Sequence, residues 1–413
     1  MAGLDKARDG KDRNSCLSVD FRRTGSVFLI FLRLGLTSFG GPVAHLGYFR
    51  NEFVRRRGWL DEASYADIVA LCQFLPGPAS SQVGICVGLL RAGLAGGLAA
   101  WLGFTAPSAL ALIGFSLGVD ALGGLHQSDG LHGLKIVAVA VVAQAVWNMA
   151  RSLCPDRVRV TIAVGAAFLA LAVPSTLGQI GAIGLGGLVG WFVLPKPAEM
   201  NSSALESNVP RGLAFAALAS FFFILLVPPL IAGGTGSQAW KLFDSFYRSG
   251  ALVFGGGHVV LPLLQAEVVQ SGWVGKDVFL AGYGAAQAVP GPLFTFAAYL
   301  GMVMRPEPHG WLGAGICLGA IFLPSFLLTI GVLPFWEQLR QRVAVRTALL
   351  GVNAAVVGLL LAALYSPVWI SAIGTPADFA IGLLSFLLLV FWAVPPWLVV
   401  ILGALLSVGA GLI

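Results

Sequence analysis

The chain has 413 residues, of which 57% are hydrophobic and only 11% are charged, and its mean hydropathy is +0.86. Soluble domains carry roughly 25% charged residues, so this composition excludes an ordinary soluble protein and predicts that lipid covers much of the surface. The net charge of +6 comes from Lys and Arg at the ends of apolar segments. That distribution indicates cytoplasmic loops and argues against nucleic-acid binding.

Residues 1–24 are rich in charge and lack the apolar core and cleavage site of a signal peptide, so we interpret them as a cytoplasmic tail. Apolar segments long enough for a membrane helix of about 20 residues follow. They are 26–48, 64–90, 95–119, 134–151, 158–173, 176–194, 211–231, 242–264, 278–302, 310–333, 346–364, 376–393 and 395–412. The polar stretch between the sixth and seventh resembles a domain boundary.

The two halves of the chain repeat one another. Phe31-Leu-Arg-Leu-Gly35 with Phe39-Gly40-Gly41 matches Phe246-Tyr-Arg-Ser-Gly250 with Phe254-Gly255-Gly256, at an offset of 215. In each half a tryptophan then precedes a Pro-Gly-Pro motif, with sixteen residues between them. Several rare residues recurring in one order indicate an internal duplication.

Segment 211–231 belongs to neither repeat. If each half crosses the membrane an even number of times, this extra crossing inverts the second half, which is an architecture typical of secondary transporters. The sequence therefore predicts an all-α integral membrane protein with two inverted-topology repeats of about six helical segments each. Its parts are the tail (1–24), an N-terminal repeat (25–195), a linker with the extra transmembrane helix (196–231), and a C-terminal repeat (232–413).

Lys and Arg place the N-terminus and the linker inside and the C-terminus outside. If the first two segments both cross the membrane, the arginine-rich loop at 50–57 lies on the outer side, unlike the other loops that carry Lys and Arg. It becomes cytoplasmic if those segments enter and return as re-entrant hairpins. Both arrangements stay open, and we favour the re-entrant one.

Two glycine-rich motifs predict broken helices. Pro76-Gly77-Pro78 and Pro290-Gly291-Pro292 interrupt apolar segments, because proline removes a backbone donor and glycine permits unusual dihedral angles. Broken backbone at membrane depth is tolerated where it is buried in protein or lines a cavity. The glycines of the Phe-Gly-Gly motifs can expose N–H groups at a helix N-terminus, which suits an anion. Close packing of helices through small residues explains them equally well. These glycines are Gly40, Gly41, Gly255 and Gly256.

Arg33 and Arg248 occupy equivalent positions inside apolar segments. An arginine at the bilayer centre costs at least ~2.5–3.5 kcal/mol, so a retained one usually faces a partner or a cavity. Snorkelling towards the interface is the alternative. Because the arginines recur as a pair, we favour the hypothesis that together they neutralise one bound dianion.

Two further pairs of polar residues recur. Gln73 and Gln287 lie three residues before their Pro-Gly-Pro motifs, where they can donate to a substrate oxygen or cap broken backbone. Glu52 and Glu267 are candidate proton carriers, although solvated loop charges explain them more simply.

The chain contains no HExxH, Walker A or GxSxG motif, which argues against a membrane hydrolase and against ATP-driven pumping. Its five cysteines are scattered without metal-ligand spacing. We therefore expect no enzymatic activity, no cofactor and no metal site.

The doubled pattern of Phe-Gly-Gly, tryptophan and Pro-Gly-Pro resembles the chromate ion transporter (CHR) family in its long, two-domain form, over residues 25–412. Pro42 stands where the second half has Gly257, so the halves are not interchangeable. The resemblance implies efflux of chromate across the cell (inner) membrane, driven by the proton motive force, and chromate resistance. The positions that it marks are Gly40, Gly41, Val54, Trp59, Pro76, Gly77, Pro78, Gly255, Gly256, Trp273, Pro290, Gly291 and Pro292.

Chromate and sulfate are both tetrahedral dianions, and a site built from arginines and backbone amides should hold either. Two alternative functions therefore stay open: a permease for sulfate or another oxyanion, and an anion channel. Assembly as a homodimer also stays open.

Overall fold

The computed structural model describes residues 20–121, 129–195, 209–229 and 237–411, and every regular element within these ranges is helical. The predicted all-α class is confirmed. The first half contains α1 (Phe21–Thr37), α2 (Gly41–Phe49), α3 (Glu62–Phe74), α4 (Ala79–Ala121), α5 (Asp129–Leu153), α6 (Arg157–Ala172) and α7 (Thr176–Val193). Helix α8 (Arg211–Leu226) lies between the halves. The second half contains α9 (Gln238–Ala251), α10 (Val260–Leu264), α11 (Lys276–Ala288), α12 (Phe296–Val303), α13 (Gly310–Val332), α14 (Trp336–Arg340), α15 (Val343–Ala363), α16 (Ile370–Ala372), α17 (Pro376–Val390) and α18 (Pro396–Gly411).

Among the described residues, five helical stretches are long and apolar enough to cross a membrane, judged by length and composition. Shorter apolar helices accompany them, which fits a multi-pass membrane protein. Most of the predicted tail and the polar linker at 196–208 lie outside the described residues. The five stretches are Ala79–Val119, His132–Leu153, Thr176–Val193, Gly310–Arg340 and Val343–Ala372.

The breaks predicted at the glycine motifs are confirmed. The first apolar segment ends as α1 at Thr37 and restarts as α2 at Gly41, with positive φ angles at Gly40 (99°) and Gly41 (75°). The second apolar segment is interrupted at the Pro-Gly-Pro motif, where Gly77 has a φ of 123°. In the second half, Gly255, Gly256 and Gly291 also adopt positive φ, at 76°, 142° and 103°. Glycine is needed at these positions because side chains disfavour that region.

Each break reverses the chain and forms a helical hairpin. In hairpin 1 (Phe21–Arg56), the Phe31 ring on α1 lies 5.5 Å from that of Phe49 and 5.1 Å from that of Phe53. In hairpin 3 (Gln238–Val269), the Ser245 hydroxyl donates to Glu267 Oε2 at 2.7 Å, from α9 to the π-helical turn Gln265–Val269. The reversal points are the Phe-Gly-Gly motifs.

The second hairpin of each half is closed at its base. In hairpin 2 (residues 59–91), the Arg91 guanidinium stacks 4.7 Å from the Trp59 ring, so the two ends of the hairpin meet. Arg57 approaches the same ring at 5.6 Å. In hairpin 4 (residues 273–305), the Arg305 N–H donates to the Trp273 carbonyl at 2.9 Å. The repeated tryptophans therefore mark hairpin bases.

Oxidation with diamide is expected to join Cys72 to Cys86 across hairpin 2, because their sulfur atoms lie 3.9 Å apart. In one straight helix a separation of fourteen residues would span about 21 Å, which no disulfide bridges. Maleimide labelling in SDS after oxidation measures the loss of both thiols, with Cys154 as the unreacted internal control. If both thiols are still labelled after oxidation, the two cysteines do not lie close together and the folding of hairpin 2 is contradicted.

Helix α4 consists of two arms joined at Ala92 and Gly93, whose backbone angles are not helical. A Cβ on Gly88 would meet the Gly96 carbonyl, whereas residues eight apart on a straight helix lie about 12 Å apart. The arms therefore fold back on one another, and the second arm, beginning after the turn, is a long apolar helix. The predicted separation of segments 64–90 and 95–119 is confirmed.

The two halves exchange helices. Helix α15 of the second half packs against α6 and α7 of the first, and α5 of the first half packs against α17 and α18 of the second. Small residues allow the close approach: a Cβ at Gly190 would lie 2.7 Å from the Gly351 Cα, and one at Gly133 would lie 2.7 Å from the Ala404 Cα. This exchange joins the two halves through helices of both.

Candidate functional site

The tips of the four hairpins meet, and two reciprocal hydrogen bonds join the halves there. The Gly77 N–H of hairpin 2 donates to the Val253 carbonyl of hairpin 3 at 2.7 Å. The Gly291 N–H of hairpin 4 donates to the Ser38 carbonyl of hairpin 1 at 3.0 Å. Ser38 and Val253 are equivalent at the repeat offset of 215. Each Pro-Gly-Pro motif therefore binds the Phe-Gly-Gly break of the other half.

The tips of hairpins 1, 3 and 4 also contact one another directly. A Cβ at Gly257 would lie 3.6 Å from the Pro42 Cγ and 3.8 Å from the Leu293 Cβ, both ordinary van der Waals distances. Together with the reciprocal hydrogen bonds, these contacts bring all four helix breaks to one place.

Serines of the long inner helices close this place from the sides. A Cβ at Gly77 would lie 2.8 Å from the Ser325 Oγ, and one at Gly291 would lie 2.9 Å from the Ser108 Oγ. Ser108 and Ser325 each follow a proline, in the pairs Pro107-Ser108 and Pro324-Ser325, which recur in the same order in the two halves. That repetition was the signal for two site residues that sequence reasoning missed.

Four helix N-termini lie at the meeting point. The second arms of the hairpins begin immediately after the breaks, at Gly41, Ala79, Gly257 and Leu293. Each helix N-terminus carries about half a positive charge from its unpaired N–H groups, so the four together offer roughly two positive charges. Such an arrangement suits a small anion bearing two negative charges.

Buried polar groups with unused hydrogen-bonding capacity line the tips. Within the described part of the chain, the Ser38 and Ser325 hydroxyls, Gln82 Oε1 and Gln287 Nε2 have no hydrogen-bond partner. Gln82 also holds the first break, because its amide Nε2 donates to the Pro76 carbonyl at 2.7 Å. The hydroxyls of Ser38 and Ser325 and the amide N–H groups of Gln287 can donate to the oxygens of an oxyanion, whereas Gln82 Oε1 can only accept. Gln73, the repeat equivalent of Gln287, is exposed.

Two histidines anchor the tips from within the protein. His45 is fully buried, with Nδ1 3.3 Å from the Ser80 Oγ and Nε2 3.2 Å from the Ser38 carbonyl oxygen. His258 places Nδ1 3.1 Å from the Tyr283 hydroxyl. The two do not align in the repeat, yet each fixes the start of an arm that follows a Phe-Gly-Gly break.

Arg33 and Arg248, equivalent in sequence, have different surroundings. Arg33 is exposed on α1, and no side chain in the described ranges pairs with it. Arg248 is partly buried and bonds the Asp244 carboxylate at 2.9 Å and the Glu267 carboxylate at 3.3 Å. Two carboxylates therefore already compensate the charge of Arg248.

Glu52 and Glu267 also differ. Glu52 is buried at the base of hairpin 1 and accepts hydrogen bonds from Arg56 at 3.1 Å and Arg57 at 2.6 Å. Glu267 shares its single arginine with Asp244. Both lie eleven residues after the second glycine of the break, at Gly41 and Gly256, so they sit at hairpin bases and not at the tips.

The model of the chromate transporter family matches residues 25–191 and 240–408, which together cover most of the chain. The chain belongs to the chromate transporter family. Helix α8 lies between the two matched ranges. The resemblance on the doubled motif is thus confirmed.

Curated relatives are similar along most of their length. A chromate transport protein of Pseudomonas aeruginosa is 28% identical over 345 residues, which are 81% of this chain and 78% of the relative. One of Cupriavidus metallidurans is 26% identical over 340 residues, 80% of this chain and 79% of the relative. A probable chromate transport protein of Synechococcus elongatus is 26% identical over 337 residues, 79% and 80% of the two chains. No solved structure is significantly similar.

The family positions fall into two groups in this transporter. The Pro-Gly-Pro and Phe-Gly-Gly residues form the tips, whereas Trp59 and Trp273 close hairpin bases. Val54 packs against the hydrophobic core beside them. In the described ranges no three His, Cys, Asp or Glu side chains lie close enough together to hold a metal ion.

Proposed function

We propose that this member of the family exports chromate across the cell (inner) membrane in exchange for protons and so confers chromate resistance. The observation that carries the proposal is the meeting of four helix N-termini at two interlocked pairs of broken helices. The names of the curated relatives supply the substrate, since a site of this kind suits any tetrahedral dianion.

Binding uses the tips and their buried polar groups. Burying a doubly charged ion without compensation is prohibitive, so the site must offer about two positive charges or their dipole equivalent. The four N-termini offer roughly that amount. The sequence-predicted set of Gly40, Gly41, Gly255, Gly256, Gln287 and both Pro-Gly-Pro motifs remains in the proposed site. Gln82, Ser108 and Ser325 join it.

Arg33 and Arg248 stay in the proposal as additional charge for the substrate. On that hypothesis Arg33→Lys and Arg248→Lys weaken chromate binding to the purified protein strongly although they keep the charge, because only arginine forks two donors towards an oxyanion. The Gln variants, which also lose the charge, weaken it further. Equilibrium binding of labelled chromate in detergent measures this. Unchanged affinity in both Gln variants would leave the backbone and hydroxyl donors as the whole site.

The proposed topology has inverted repeats with re-entrant hairpins. The contact of Arg91 and Arg57 with Trp59 supports it, because the base of hairpin 2 then has both ends on the cytoplasmic side. The arginine-rich loop at 50–57 then agrees with the other cytoplasmic charges. Hairpins 3 and 4 enter from the opposite face after the single crossing of α8.

Cysteine labelling is expected to find Ser202→Cys on the cytoplasmic side and a cysteine added after Ile413 on the outer side, because α8 inverts the second half. A membrane-impermeant maleimide applied to whole cells and to everted vesicles shows on which side of the membrane each cysteine lies. Labelling of both positions from the same side would remove the inverted repeat.

The membrane potential favours export. A dianion leaving a cell that is negative inside gains about 2.3 kcal/mol per charge at 100 mV, so roughly 4.6 kcal/mol in total. Uptake would have to move more than two protons, or other cations, along with it.

Flux of radiolabelled chromate into everted vesicles tests the function. We expect accumulation above the external concentration, and its loss on addition of an uncoupler. Sulfate that competes fully and is itself accumulated would favour a general oxyanion permease. Flux that only dissipates gradients would favour a channel, and flux unaffected by the uncoupler would remove the coupling to protons.

A further inference from the structure

The structure distinguishes the two hairpin bases by their charge, although the sequence repeats both the arginine and the glutamate. At the base of hairpin 1, Glu52 lies between Arg56 and Arg57, so the group carries a net positive charge. At the base of hairpin 3, Asp244 and Glu267 share Arg248, so two carboxylates and one guanidinium carry a net negative charge. A buried excess carboxylate is costly, and proton binding removes that cost.

The carboxylates of Glu267 and Asp244 differ in the hydrogen bonds that they accept. Glu267 accepts three hydrogen bonds, from the Thr176 hydroxyl at 2.9 Å, the Ser245 hydroxyl at 2.7 Å and Arg248 at 3.3 Å. Asp244 is only 5% exposed, and its Oδ2 bonds Arg248 at 2.9 Å. Its Oδ1 is buried without a hydrogen-bond partner among the described residues. Asp244 is therefore the carboxylate that gains most from a proton.

We propose that Asp244 binds the proton that is exchanged for chromate, and that only the second half of the transporter carries this site. The inference rests on the proposed proton-coupled export. With the proposed topology, the base of hairpin 3 faces the outer side, from which protons enter. The repeat equivalent of Asp244 in the first half is Leu29, so that half has no second carboxylate there.

Other titratable groups near Asp244 are few. On α9 itself, Lys241 is exposed and the Tyr247 hydroxyl donates to the Phe221 carbonyl at 2.9 Å. Of the helices packed against α9, α13 carries the buried thiol of Cys317, α8 carries Arg211 at its first residue, and α10 carries no titratable side chain. The charge on Asp244 thus responds mainly to Arg248 and Glu267.

The cluster connects three structural elements. Asp244 and Arg248 lie on the first arm of hairpin 3, Glu267 lies on the returning arm, and Thr176 begins α7 of the first half. A proton on Asp244 leaves Arg248 to Glu267 alone, which changes the connection between the two arms. Proton binding is in this way linked to the position of the Phe-Gly-Gly tip at the far end of the same hairpin.

Full-length protein in liposomes tests the inference with two assays: chromate–chromate exchange at equal pH, and chromate accumulation driven by an acidic interior. For Asp244→Asn we expect exchange within about twofold of the parent. We expect its accumulation to fall by at least about tenfold. Asp244→Glu restores a titratable group and should recover accumulation. Glu62→Gln, which removes one charge of an exposed ion pair, should match the parent in both assays.

Accumulation by Asp244→Asn equal to that of the parent would overturn the assignment. Loss of exchange together with accumulation in both Asp244 variants would also overturn it, because the carboxylate would then have a structural role. A parent protein that exchanges chromate but does not respond to the pH gradient would instead disprove the proposed coupling, so the two failures are distinguishable.

Discussion

Replacing Gly77 or Gly291 with Ala is expected to lower chromate transport by at least about tenfold, while the amount of protein in the membrane stays near normal. Both glycines have positive φ, at 123° and 103°, which an L-residue adopts at a cost of roughly 1–2 kcal/mol. The added methyl group would also lie 2.8 Å from the Ser325 Oγ or 2.9 Å from the Ser108 Oγ. Overpacking of this kind costs about 1–3 kcal/mol and displaces the tip.

A larger side chain should abolish transport altogether, so Gly77→Leu and Gly291→Leu extend the series. Vesicle uptake normalised to protein amount on a blot is the measurement. Gly114→Ala and Gly315→Ala are matched controls, because both glycines are exposed on helices with no atom within 4 Å of the added Cβ. Normal transport in the four tip variants would reduce the Pro-Gly-Pro motifs to helix kinks.

Removing Arg340 from its buried ion pair with Asp67 is expected to destabilise the fold by about 3–5 kcal/mol, since it leaves the Asp67 carboxylate buried without compensation. Removing Asp67 should cost less, because Arg340 keeps a second carboxylate partner. Asp67 on α3 and Arg340 on α14 belong to different halves and bond at 3.0 Å. Their side chains are only 2% and 5% exposed. Arg340 also bonds Glu337, whose side chain is 44% exposed.

Thermal unfolding in detergent compares Asp67→Ala and Arg340→Ala with the double variant Asp67→Leu/Arg340→Met. The double variant should recover most of the stability, because apolar side chains of similar volume often replace a buried pair at little cost. Glu62→Ala, which breaks the exposed pair with Arg50, should change stability by less than about 1 kcal/mol. Equal losses of stability on breaking the buried pair and the exposed pair would contradict this prediction.

Helix order and the breaks followed from sequence because their causes are local. Proline and glycine act on the backbone where they stand, and apolar length marks a membrane helix wherever it occurs. The arginine-rich loop pointed to re-entrant hairpins through its disagreement with the other charges, and the stacking of Arg91 on Trp59 agrees with that interpretation.

Partners across the halves did not follow from the sequence. Gly77 binds Val253 and Gly291 binds Ser38, and no periodicity relates residues so far apart. Repetition in the sequence also does not show that the surroundings of two equivalent residues differ. Arg33 and Arg248 look alike in sequence, yet Asp244 stands one turn before Arg248 and Leu29 stands in its place before Arg33. A carboxylate four residues away was a visible signal for an ion pair on the same helix face.

The exchange of α5 and α15 makes each half incomplete as a separate polypeptide. The apolar face of α15 is covered by α6 and α7 of the other half, and α5 depends on α17 and α18 in the same way. The reciprocal hydrogen bonds at the tips have the same property, since each needs a donor and an acceptor from opposite halves. Severing the chain between the halves would therefore yield two fragments that are obligate partners, with a complete transport site existing only in their one-to-one complex.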